Sequence, residues 1–215
     1  MLFPNDRTVL KICGVTNPAG AKMLVDEGVF AIGANFYEKS KRFIPEENRG
    51  PILAPIAGQI LRVGVFVNAD ESEIVNLFSD GLIDVAQLHG DETPEDVQML
   101  KDLKIPVIKA LPADDLSNAR TYGADAILID TPAGKDYGGT GKTFDWSLAT
   151  RFCAENPGTQ IILAGGITPQ NAQQAAKQVP ACALDVASGA EDSPGIKSQL
   201  KVQALQKALG LRKAF

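Results

Sequence analysis

The sequence predicts an α/β fold in which eight parallel strands close into one (β/α)8 TIM barrel. Three observations carry that expectation. Short apolar runs alternate eight times with longer amphipathic segments along the 215 residues. Several helix starts pair a capping side chain with a proline. No glycine-rich dinucleotide turn follows the first run, where an open doubly wound sheet that binds a dinucleotide would carry one.

The apolar runs are 9–15, 31–36, 62–68, 85–90, 106–111, 126–130, 160–165 and 182–188. They are rich in Val, Ile and Leu and nearly continuous, as parallel strands covered on both faces should be. Helical segments between them imply repeated βα units. Asn17-Pro18, Thr93-Pro94 and Thr168-Pro169 each place a cap before a proline at the first helical position. Thr93 with Asp96 resembles a capping box ahead of Val97, Leu100 and Leu103. The segment 45–59 holds Pro45, Pro51 and Pro55 with Gly50 and Gly58, so its helix is expected to be short or broken. Phe144-Asp145-Trp146-Ser147 is read as the start of the helix after strand six. Ile196, Leu200, Leu205 and Leu209 are expected on one face of the last helix. Nothing reads as a linker, so residues 1–215 are expected to form one domain.

Composition narrows the function. A net charge of −5 argues against nucleic acid or a membrane surface as partner, since either calls for a basic face. No stretch approaches the roughly 20 apolar residues that span a bilayer. Cys13, Cys153 and Cys182 are too widely and irregularly spaced for a disulfide framework or a zinc site. Residues 1–7 lack the apolar run of a signal peptide, so a reducing cytoplasm is the expected setting. An anionic substrate would have to be held by local features.

Barrel enzymes keep their reactive groups at the C-terminal ends of the strands. Cys13 ends the first run and reads either as a small buried hydrophobe or as a reactive thiolate, favoured by the following Gly14. Asn35 ends the second, with Lys39, Lys41 and Arg42 in its loop, where one cation could clamp a carboxylate. Asn68 ends the third, and His89, the sole histidine, ends the fourth. Asp130 directly follows an apolar strand, where a carboxyl is solvated, paired or functional and can serve as a proton donor. Gly165-Gly166 and Ser188-Gly189 follow strands seven and eight, the corner where barrels commonly cradle phosphate on backbone N–H groups. The stretch 134–143 imitates a nucleotide P-loop but fails its spacing, because the first glycine would fall at Asp136; it is long enough for a lid.

These motifs together resemble the phosphoribosylanthranilate isomerase family. The matching segments are Lys11-Ile-Cys-Gly-Val-Thr-Asn17, Asn35-Phe-Tyr-Glu-Lys-Ser-Lys-Arg-Phe-Ile44, Val63-Gly-Val-Phe-Val-Asn68 and Gln87-Leu-His-Gly90. The match continues in order through Leu128-Ile-Asp130, Tyr137 to Trp146, Gly165-Gly-Ile-Thr-Pro169 and Leu184-Asp-Val-Ala-Ser-Gly189. The resemblance implies an Amadori rearrangement of N-(5-phosphoribosyl)anthranilate to 1-(2-carboxyphenylamino)-1-deoxyribulose 5-phosphate in tryptophan biosynthesis. It makes Cys13 the general base, Asp130 the general acid and Arg42 the contact to the anthranilate carboxylate. His89 and Asp185 would line the site, and Gly165, Gly166, Ser188 and Gly189 would hold the phosphate. Such an isomerase needs no cofactor and no metal. The base must start ionised and the acid protonated, so a lowered Cys13 pKa and a raised Asp130 pKa are expected. The partner is a small phosphorylated molecule, and the assembly a monomer or homodimer. Three departures stand out: Glu38 where the family often has proline, Ala187 where it has serine, and Lys197-Ser198 where Lys-Asp is usual. The alternatives are another phosphosugar isomerase or lyase barrel, or a barrel that only binds a phosphorylated ligand.

Overall fold

The structure, a computed structural model, describes residues 1–132 and 145–211. The 134–143 segment and Phe144 lie outside the described residues. Eight parallel strands form a closed barrel in chain order: β1 Val9–Cys13, β2 Ala31–Asn35, β3 Leu61–Phe66, β4 Val85–Leu88, β5 Val107–Pro112, β6 Ala126–Asp130, β7 Ile161–Leu163 and β8 Ala183–Val186. Each falls in or against one of the eight apolar runs. Closure is completed by β1 pairing with both β2 and β8.

The outer helices are α1 Pro18–Asp26, α2 Glu46–Leu53, α3 Glu71–Ser79, α4 Pro94–Asp102, α5 Ser147–Glu155, α6 Ala172–Gln178 and α7 Gln199–Ala208. Asn17 caps α1 through the Gly20 N–H, and Thr93 with Asp96 forms the expected capping box on α4. Helix α2 is short, contains Pro51, and passes into the 3-10 turn Ala54–Ile56. Between β5 and β6 the connection is only a 3-10 turn, Ala119–Tyr122, ended by Gly123 at φ 59°. Asp114, Asp115, Ser117 and Asn118 precede it, residues that compete for backbone hydrogen bonds rather than propagate a helix. Among the described residues no helix is long and apolar enough to cross a membrane.

Two expectations are corrected. Thr168-Pro169 does not open α6, which begins at Ala172; the Asn171 side chain instead bonds back to Thr168 N at 2.8 Å and Gly166 O at 3.0 Å, shaping the loop. The apolar face of α7 also starts later than expected. Ile196 lies before the helix in a two-stranded ribbon, β9 Glu191–Ser193 with β10 Ile196–Lys197, and is half exposed, while Leu200 points to solvent. The buried face is Val202, Leu205 and Gln206.

Strand alternation sorts side chains between two cores. Leu10, Ile12, Ile127 and Ile129 face the helices, whereas Val9, Ala31, Val63, Val85, Ile108, Leu128 and Ile162 fill the barrel. Phe3 enters this inner cluster and stacks on Phe30, 5.6 Å away. Gln160 holds that N-terminal segment, accepting from Leu2 N and Phe3 N and donating to the Phe3 carbonyl. Phe3→Ala is expected to cost about 3 kcal/mol, seen as a thermal midpoint lower by roughly 6–12 °C. A shift under one degree would show that Phe3 contributes nothing to the barrel floor.

Candidate active site

Inward-facing positions turn polar toward the C-terminal end of the barrel. On β1 the order is Val9, Lys11, Cys13, so the residue beneath the thiol is a lysine that is 0% exposed. It donates to Asp185 of β8 at 2.8 Å. Burial alone would lower the Lys11 pKa, but Asp185, with Cys13 and Asp130, more than offsets this and holds it above the ordinary lysine value. Asp185 is therefore tied from below, and the pair fills the layer between apolar floor and rim.

Cys13 is partly accessible, with Lys11, Asp185, Lys197 and Arg42 as its charged neighbours. The expected lowering of its pKa is not found. Burial pushes the thiol above its ordinary value and Asp185 adds to the rise, while Lys11, Lys197 and Arg42 pull the other way without winning. Sequence spacing could not weigh desolvation against charges brought in from other strands.

Asp130 and His89 meet across the lumen. Thr131 N donates to Asp130 Oδ1 at 2.7 Å, and His89 Nε2 lies 3.4 Å from Asp130 Oδ2. Gln87, fully buried two residues before His89, places its Nε2 3.0 Å from His89 Nδ1, which orients the ring. Asn35 and Asn68 do not enter this group. Asn35 accepts from Tyr37 N, and Asn68 from Asp91 N, so both brace loops.

Of the three cations after β2, Lys39 and Lys41 are exposed and only Arg42 turns inward. Its path depends on Gly14: a Cβ there would sit 2.1 Å from Arg42 Cδ, and φ is +82°. Arg42 is not a free cation. Its Nε and Nη2 donate to Glu191 at 2.8 and 2.6 Å, and Lys197 Nζ donates to the same carboxylate at 2.6 Å. Sequence reading missed Glu191 as a site residue. No local pattern links residues 149 apart, and only the ribbon β9–β10 brings them together.

The turns after β7 and β8 are adjacent. A Cβ on Gly189 would lie 2.0 Å from the Ile167 carbonyl oxygen, and Gly165 and Gly166 both have positive φ. Ser188 is exposed at the start of a 3-10 turn, Ser188–Ala190. Because β7 and β8 lie between β6 and β1, these turns occupy the rim between Asp130 and Cys13. Arg42 stands on the other side of Cys13. Among the described residues no three His, Cys, Asp or Glu side chains group as a metal site.

Comparison with known proteins places the chain in a family. Residues 10–208 match the family described as N-(5'phosphoribosyl)anthranilate (PRA) isomerase. A protein named N-(5'-phosphoribosyl)anthranilate isomerase from Rhodospirillum rubrum is 42% identical over 215 residues, spanning 94% of this chain and 97% of its own. Phosphoribosyl anthranilate isomerase from Thermotoga maritima has a crystal structure that matches with a TM-score of 0.85 at 37% identity, covering 95% of this chain and 100% of that one. Another crystal structure of the isomerase, in complex with reduced 1-(o-carboxyphenylamino)-1-deoxyribulose 5-phosphate, matches at 34% identity with a TM-score of 0.82, covering 95% and 100%. The chain belongs to the phosphoribosylanthranilate isomerase family.

Proposed function

We propose that this isomerase of tryptophan biosynthesis works by general acid–base catalysis, with Asp130 as acid and Cys13 as base. The observation that carries the reading is the order of groups around the rim: Asp130, the two glycine turns, Cys13, then Arg42. A phosphoribosyl anthranilate carries phosphate at one end and a carboxylate at the other, with the reacting carbons between. Phosphate on the N–H groups of Gly165, Gly166, Ser188 and Gly189, and carboxylate on Arg42, would set those carbons beside Cys13.

Asp130 gives its Oδ2 proton to the ring oxygen as the C1–O bond breaks, forming the open Schiff base. His89, held by Gln87, keeps that carboxyl in place. Cys13 then removes the C2 proton, and the electron pair moves to form the enolamine, which tautomerises to the ketone. The free thiols of Cys13, Cys153 and Cys182 support a reducing cytoplasm as the setting.

The test is to add N-(5-phosphoribosyl)anthranilate to purified protein and follow loss of its fluorescence. Turnover supports the reading; binding without turnover would leave only a phosphate-ligand barrel. Arg42→Ala should raise KM about 10- to 100-fold and lower kcat less, because a charge-assisted contact made in both ground and transition states is lost. It should also lower the melting point, since Glu191, only 5% exposed, loses its bidentate partner. A kcat loss exceeding the KM change would place Arg42 in the transition state instead.

A further inference from the structure

Beside Cys13 the structure buries an unbalanced set of charges. Arg42 and Lys197 bring two positive charges and Glu191, between them, one negative, with side chains 13%, 0% and 3% exposed. Gly195 N also donates to Glu191 at 3.1 Å, and the Gly195 carbonyl accepts from Thr16 Oγ1 at 2.8 Å. The ribbon β9–β10 is thus fastened onto the loop that follows β1. Lys197 Nζ has a second acceptor, the main-chain carbonyl of Cys13 itself. A buried cluster with one uncompensated cation is costly unless an anion comes to it. Glu191 holds two of the three guanidinium nitrogens, Nε and Nη2.

We propose that Glu191 and Lys197 are positioning residues with separate tasks: Glu191 aims Arg42 at the substrate carboxylate, and Lys197 fixes the Cys13 main chain and supplies positive charge to its thiolate. The proposal rests on the reading of Cys13 as base and Arg42 as carboxylate contact. A bidentate carboxylate fixes the plane of a guanidinium, which a single neutral acceptor does not. Lys197 is pulled below the ordinary lysine value by burial, only partly offset by Glu191, while its ammonium also donates to the Cys13 carbonyl. The charged groups around the thiol are Lys11 on its own strand, Asp185 on β8, Lys197 on β10 and Arg42 from the loop after β2, with Glu191 behind the last two. Asp130 and His89 complete the ring from β6 and the end of β4. Among the cations, Lys197 can be neutralised with the lumen pair Lys11–Asp185 intact and the Arg42 guanidinium still held by both Glu191 oxygens.

The test combines alkylation and kinetics on the full chain. Iodoacetamide labelling of each cysteine is followed against pH by peptide mass, with Cys153 and Cys182 as internal controls, their thiols pushed by burial up to about 11 and about 12. Lys197→Gln keeps a donor but removes the charge. It should move the Cys13 labelling midpoint to higher pH, cutting its labelling rate at neutral pH about tenfold, with KM little changed. Lys197→Arg should restore the wild-type midpoint. Glu191→Gln should raise KM about tenfold with kcat falling less, and should not raise the Cys13 midpoint. A merely structural role would lower the melting points of both variants without this split. An unmoved Cys13 midpoint in Lys197→Gln, or an unchanged KM in Glu191→Gln, overturns the proposal. If the labelling midpoint moves while the pH dependence of kcat/KM stays put, Lys197 does tune the thiol and the assignment of Cys13 as base is what fails.

Discussion

Cys13→Ser should leave a folded barrel whose kcat is about 100- to 10,000-fold lower, the range a positioned proton-transfer group contributes. The substitution exchanges one small side chain for another at a partly accessible position, so little stability is at stake. A serine hydroxyl in the same place is far too weak a base. The pH dependence adds a second, independent signature. Burial pushes the Cys13 thiol above its ordinary value, and Lys11, Lys197 and Arg42 reduce that rise without cancelling it. As the proposed base, Cys13 would act only as thiolate, and a raised pKa means that the thiolate fraction grows as pH increases. Hence kcat/KM, which reports the free enzyme, should climb by roughly tenfold per pH unit on its acid-to-neutral side if the thiol alone governs it. The Cys13→Ser variant should lose that limb. Wild-type turnover in Cys13→Ser, or an identical rising limb, would remove Cys13 from the mechanism.

Much of this arrangement was legible in the sequence, and most of what was not has a common physical origin. The eight strands read correctly because each is buried on both faces, which leaves a continuous apolar run that no surface strand would show. Cys13 and Asp130 could be placed at the rim from strand ends alone. Helix caps at Asn17 and Thr93 were readable because a cap and its partner lie within four residues. The start of α6 was misplaced because Asn171, rather than Thr168, makes the bonds that shape the turn. Lys11 was visible two residues before Cys13, yet nothing local showed that Asp185, 174 residues away, would neutralise it. Glu191 and Lys197 were hidden for the same reason. The direction of the Cys13 shift was misjudged because the following Gly14 and the need for an ionised base speak for a thiolate, while desolvation by the closed barrel speaks against it. Apart from the turn before α6, contacts local in sequence were readable, and those between distant segments were not.

Asp130→Asn should also fold and should also lose about 100- to 10,000-fold in kcat, but for a different reason. The side chain keeps its shape, and its oxygen can still accept from Thr131 N, as Asp130 Oδ1 does at 2.7 Å. What disappears is the proton that the proposed acid would give to the ring oxygen as it leaves. The amide also presents its own N–H toward His89, whose Nε2 lies 3.4 Å from Asp130 Oδ2. Binding should survive, because the proposed mechanism assigns phosphate and carboxylate to other groups, so KM should change by less than about threefold. The double variant Cys13→Ser with Asp130→Asn then tells how the two residues share the work. If ring opening and C2 deprotonation are successive steps, the double variant should be little slower than the slower single one, because only one step limits at a time. Losses that multiply would place both groups in a single transition state, which ring opening followed by enolamine formation does not allow. A loss below tenfold in Asp130→Asn would instead return the ring-opening proton to solvent or to His89.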